Sequence, residues 1–187
     1  MISIKLDTDA WTRTVDRLGN RAPAAIARAE NRTGVNVRAA MVPAIAADMG
    51  ISAARVRSRI DLRNATPNRL VMTIGASARQ LPLVEFGARG PVPSRGKGTG
   101  VTTTNPGGAK RYPHAFLATV RIGDPAQRYG VFERKGRARM PIRQLYGPSI
   151  WHVFGKHEAL GQARATEMFP KNLEHEIAFE ASKGASV

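Results

Sequence analysis

Few side chains in this sequence stand where they could do chemistry. Asp124 sits in a turn and Glu133-Arg134-Lys135 ends the strand after it. That is the sparse pattern in which two carboxylates hold magnesium and a lysine assists the attacking water of a nuclease. Such a pattern arises often by chance, and Glu133 lies in a run of arginines that compete for its charge. Ser149 with His152 offers a nucleophile and a base but no positioned acid or oxyanion loop. His114, His152, His157 and His175 lack paired metal-ligand spacing, since five positions between His152 and His157 miss a common helix face. With no cysteine, disulfides and thiolate sites are excluded. Gly90-Pro-Val-Pro-Ser-Arg-Gly96-Lys97-Gly98 fails as a phosphate-binding loop: its glycine spacing is one residue too long, and Gly98 stands where a magnesium-binding hydroxyl is required. No catalytic residue, metal or cofactor is expected, and a nucleic-acid-binding protein or a magnesium-dependent nuclease built on Asp124, Glu133 and Lys135 stands as the alternative.

Binding chemistry is richer. Lys and Arg number 29 against 14 Asp and Glu, a net charge of +15. A field of that size favours a polyanion or an acidic neighbour. Arg134, Lys135, Arg137 and Arg139 crowd one turn, and Arg89, Arg95, Lys97, Lys110 and Arg111 fall in a stretch without acids, residues 87–113. These nine residues are the candidates for DNA-proximal or assembly contacts. Arg55, Arg57 and Arg59 follow a glycine break, in the manner of a helix-turn-helix reader. Residues two apart in a helix do not share a face, however, so the three do not form a reading edge. Any DNA binding is therefore expected to be nonspecific and salt-sensitive.

The elements that would position these groups read as an α+β domain. Ile2, Ile4 and Leu6 alternate as a short strand, and Asp7 or Thr8 caps a short helix with Trp11. Pro23 opens a longer helix whose apolar face includes Val37 and Met41, with Pro43 inside it. Ser52 caps a helix running to Ile60. Alternation predicts a strand from Leu70 to Ile74, paired with Leu81–Phe86. Residues 87–113, with seven glycines and four prolines, read as an extended arm without a packed element. Strands are then expected over 115–122 and 129–134, followed by a second extended run through Met140, Ile142 and Leu145. A turn with Trp151 and Phe154, a last helix from near Glu158 and a frayed tail at 182–187 complete a single domain, residues 1–187. The sheet is expected to hold about four or five mostly antiparallel strands, with the N-terminal helices and the C-terminal helix packed on it. No charged leader and no run of about 18 apolar residues is present, so a soluble protein made in a cytoplasm is expected, with no membrane partner.

The basic glycine turn, then Met140-Pro-Ile-Arg-Gln-Leu-Tyr-Gly-Pro-Ser-Ile150, then a helix with Met168-Phe-Pro-Lys-Asn-Leu-Glu-His-Glu-Ile177, resembles the minor tail protein Z family of long-tailed bacteriophages and their prophages. The resemblance is strongest from Ala115 to Ile177 and weakest across 88–110. It implies a virion protein at the head-proximal end of the tail, in the neck, acting in tail completion, head–tail joining and placement of the DNA end. It also implies a homo-oligomeric ring of roughly six copies, with tail terminator, tail tube and head-connector proteins as neighbours and packaged DNA as a nonspecific contact. Trp11, Val37, Met41, Trp151 and Phe154 are the candidates for subunit packing.

Overall fold

The computed structural model describes residues 19–92, 100–121, 127–136, 138 and 140–184. A single turn of 3-10 helix, Gly19–Arg21, leads into α1, Ala22–Met49, with Pro23 in the first turn where its missing N–H costs nothing. Ala25, Ala29, Thr33, Val37, Met41 and Ile45 are buried along α1, and Pro43 lies on its exposed side. The helix stops at Gly50, whose φ of 64° is a left-handed conformation that glycine adopts without strain. Ser52 then caps α2, Ala53–Arg57, its hydroxyl accepting from the Arg55 N–H at 3.3 Å.

Among the described residues seven antiparallel strands follow, divided among three small sheets. β1, Ile60–Arg63, pairs with β2, Thr73–Ala76. β3, Val101–Asn105, pairs with β4, Gly108–Tyr112, across a turn in which Gly107 and Gly108 both take positive φ. β5, Ala115–Arg121, pairs with β6, Gln127–Arg134, which pairs with β7, Ile142–Gln144. Backbone hydrogen bonds stitch the sheets together: Leu83 N–H to Leu145 O, Arg89 with Thr102, and Gly100 N–H to Ala115 O. After a one-turn helix α3, Trp151–Phe154, the long α4, Glu158–Gly184, returns antiparallel along α1. Arg21 Nη1 meets Glu180 O at one end of this pair, and His157 meets Asp48 at the other.

The architecture is the expected α+β arrangement, with three local differences. Ile60 begins β1 rather than ending a helix, so β2 pairs with β1 and not with Leu81–Phe86. Leu83–Phe86 is a 3-10 turn, because Leu83 and Phe86, three apart, both bury. The arm read over 87–113 holds the β3–β4 hairpin, with Val101 and Thr103 buried beneath it. The first strand and the Trp11 helix lie outside the described residues.

One core joins these layers. Val37, Met41, Val42, Ile45 and Met49 of α1 meet Val56, Ile60, Ile74, Leu81, Leu83, Phe86, Val131 and Phe154. The Phe86 ring lies so close to Gly147 that a Cβ there would fall 2.5 Å from it, which is why that turn needs glycine. Asn31 clamps α1 to the β1–β2 connection, accepting from Ala65 N–H at 2.7 Å and donating to Ala65 O at 3.0 Å.

Beside that clamp Glu30 is 6% exposed, and its Oε2 has no hydrogen-bond partner. Burial pushes its carboxyl above the ordinary glutamate value, opposed by a hydrogen bond from the Met72 backbone. The folded state thus holds this proton to higher pH than the unfolded chain does. The stability it contributes is full below the ordinary value of 4.5 and falls as pH rises from there through the raised native value. Glu30→Gln is therefore expected to melt at a higher temperature than the parent at neutral and alkaline pH, with the gap closing toward pH 4 or so. Melts across that range test this, and equal melting temperatures at every pH would show a carboxylate that is solvated after all.

Candidate functional site

A cleft of about 740 Å³ lies where α2, residues 79–85 and the β6–β7 strands meet. Arg55, Arg59, Arg79 and Arg128 line it, with Tyr129, Tyr146 and Glu85. Arg55 reaches the cleft from α2 and Arg59, four residues on, from the turn that follows the helix, while Arg57 does not line it. Ser52 fixes the start of that helix, and the Gly50 reversal fixes its direction. Opposite, Pro82 bridges to Tyr146, whose hydroxyl donates to Gln144 Oε1 at 3.2 Å. Tyr129 and Tyr146 are 52% and 49% exposed. Glu85 pairs with Arg55, whereas Arg59, Arg79 and Arg128 have no acidic partner among the described residues. Three unneutralised guanidinium groups beside two phenol rings suit an anionic chain, since guanidinium binds carboxylate or phosphate in a planar fork and stacks on aromatic faces.

The residues singled out from sequence are placed differently. Thr102 is bridged to Arg89 on one side and registered with Arg111 on the other, so the two arginines share one row of an exposed face. Residues registered across neighbouring strands point to the same side, and two strand spacings separate the arginines by roughly 10 Å. Lys110 stands over the Tyr112 ring at 5.4 Å. Arg134 covers Phe116 at 5.4 Å, so part of the basic tip is packed against an aromatic ring rather than simply solvated. Lys135 is exposed, its N–H donating to Pro141 O at 3.0 Å. Arg95, Lys97, Arg137, Arg139, Asp124 and Trp11 lie outside the described residues.

Two sets of candidates have partners within the chain. Val37, Met41 and Phe154 belong to the chain's own core and are not available to a neighbouring subunit. Trp151, 51% exposed, is the member of that set that faces solvent among the described residues. The carboxylate of Glu133, offered as a metal ligand, instead accepts from Arg143 Nε and Nη2 at 3.0 and 2.6 Å, opposite it in the β6–β7 register. Ser149 is buried with its hydroxyl 2.9 Å from His152 Nδ1, one turn on, a local bond at the start of α3. No group of three or more His, Asp or Glu among the described residues could hold a metal ion.

The cleft was not apparent from sequence because its arginines come from three separated segments. The signal that could have found part of it is the four-residue spacing of Arg55 and Arg59.

A family model described as prophage minor tail protein Z (GPZ) matches residues 8–182 of the 187. Comparison with curated proteins and with solved structures finds no match.

The core assignment carries a direct expectation. Phe154, 3% exposed, should cost about 3–5 kcal/mol on truncation to alanine. Trp151→Ala should stay within about 0.5 kcal/mol. Denaturant unfolding of the two variants measures the difference, and a Phe154→Ala chain as stable as the parent would return that ring to an intersubunit role.

Proposed function

The chain belongs to the prophage minor tail protein Z family, and from that premise we propose that it completes the tail at its head-proximal end and joins it to the filled head. It is a phage minor tail protein. The family match across residues 8–182 carries this reading. In it the chain works by binding and not by turnover, in a homo-oligomeric ring of roughly six copies. Its neighbours are the tail terminator, the tail tube and the head connector.

The basic excess supports a nonspecific contact with the DNA end in this assembly. Arg89 and Arg111 on one exposed row, and the Arg134–Arg139 turn, are the groups we assign to it. Contacts of this kind grip phosphate without reading bases, and they weaken steeply as salt rises. The nuclease reading loses support from the pairing of Glu133 with Arg143, because both guanidinium nitrogens lie on Glu133 Oε2 and a metal ion at that carboxylate would meet the guanidinium charge.

A phage that lacks this chain is expected to accumulate filled heads and full-length tails that do not join. Supplying the chain in trans should restore infectious titre, while joined, infectious particles formed without it would overturn the reading. Arg137→Glu with Arg139→Glu should lower titre while changing stability by no more than about 0.5 kcal/mol. Melting temperature measured beside titre separates a lost contact from a lost fold.

A further inference from the structure

We propose that the arginine–tyrosine cleft between α2 and the β6–β7 strands docks an extended, acidic segment of another protein. The proposal does not depend on where in the particle the chain sits. Four guanidinium groups share one concavity, and Glu85 neutralises only one of them. Like charges crowded in this way persist when solvated or when an anion enters, and the cleft's shape and lining favour the second.

The anion's class follows from the lining. A DNA duplex presents its phosphates on the outside of a rigid convex cylinder, whereas these guanidinium groups line a concavity of about 740 Å³ that a side chain or a flexible segment can enter. Glu85 on Arg55 already seats a carboxylate against one of the arginines, as an acidic side chain of a partner would sit on Arg59, Arg79 and Arg128. Half-exposed tyrosines beside arginines are the residue types that anchor protein interfaces. Gln80 and Gln144 add amides able to meet a peptide backbone.

Among the described residues, another copy of this chain offers no such segment. No two of its acids are adjacent in sequence. Glu85, Glu133, Glu167, Glu176 and Glu180 are held in ion pairs of their own, and Asp48 is hydrogen-bonded to His157. Asp61, Glu158 and Glu174, all exposed, are scattered over β1 and two separate turns of α4.

The test uses the full chain and a fluorescein-labelled peptide of glutamate and alanine around one tyrosine, about ten residues long, which extends to roughly 3.3 Å per residue. A thymidine oligomer of equal length is the rival probe. Anisotropy should show the peptide bound more tightly than the oligomer, with affinity falling as salt rises. Arg79→Glu and Arg128→Glu should each weaken peptide binding by about tenfold or more at unchanged melting temperature, and Arg79→Gln and Arg128→Gln by less. The same reversal outside the cleft, Arg63→Glu with Lys156→Glu, both exposed and neither lining it, should leave binding within about twofold. Cleft variants that bind the peptide as well as the parent would overturn the proposal. So would an oligomer that binds more tightly than the peptide and is lost in those same variants.

Discussion

Helix α1 has two neighbours along its length, and its packing against α4 is the contact on which the remaining layers rest. In its first half the side chains toward α4 are small. Ala25 and Ala29 leave room for Phe169, Leu173 and Ile177. Thr33 crosses that apolar strip with its hydrogen bonds complete, donating to Ala29 O and accepting from Asn172 Nδ2 at 2.9 Å. A buried pair that satisfies itself contributes about 1 kcal/mol, and stripping one partner costs about 1–3 kcal/mol because the other is left unpaired. In its second half α1 turns larger residues, Val37, Met41, Val42, Ile45 and Met49, toward the strands. The change from alanine to larger side chains along one face marks where the mixed core with the strands begins.

Acidic side chains are used largely to hold this arrangement, which leaves the basic ones facing outward. Arg28 of α1 reaches Glu176 at 2.6 Å and Glu180 at 2.5 Å on successive turns of α4. Those two carboxylates are almost fully buried while the arginine stays partly in solvent, so the fork acts as a lid on the seam between the helices. Asp48, Glu85 and Glu133 are likewise paired. With so many of the acids engaged internally, the exposed residue of the +15 charge is concentrated on surfaces such as the cleft and the Arg89–Thr102–Arg111 row. A basic exterior of this kind concerns partners and assembly rather than fold.

The two long helices and the β5–β6–β7 sheet were legible in the sequence. Their periodicities of three to four and of two are unbroken over enough residues to be read. β3 was hidden by its setting: Val101-Thr-Thr-Thr104 is a β-branched run, but glycine and proline on both sides made it read as part of an arm. The turn signal was present in Asn105-Pro-Gly-Gly108. β1 was missed because Ile60 also fits the spacing of the helix before it. Sequence could identify Val37, Met41 and Phe154 as residues to be buried, but apolar character does not say whether the chain itself or a neighbour does the burying. The candidate cleft was not legible, since Arg55, Arg79 and Arg128 become neighbours only once three layers are in place.

The two walls of the cleft are carried by different parts of the molecule, and what couples them is apolar. One wall is α2, set by the Gly50 reversal and seated in the core by Val56. The other comprises residues 79–85 and the β6–β7 strands, joined by the Pro82–Tyr146 bridge and the Leu83–Leu145 hydrogen bond. Between them Leu81, Leu83, Phe86 and Val131 fill the space, and Gly147 lets the Phe86 ring approach the turn closely. The guanidinium groups thus converge without attracting one another, held at their spacing by hydrophobic packing that works against their repulsion. An anion bridging both walls would relieve that repulsion in the folded state alone. By linkage, whatever occupies the cleft also stabilises the core that builds it.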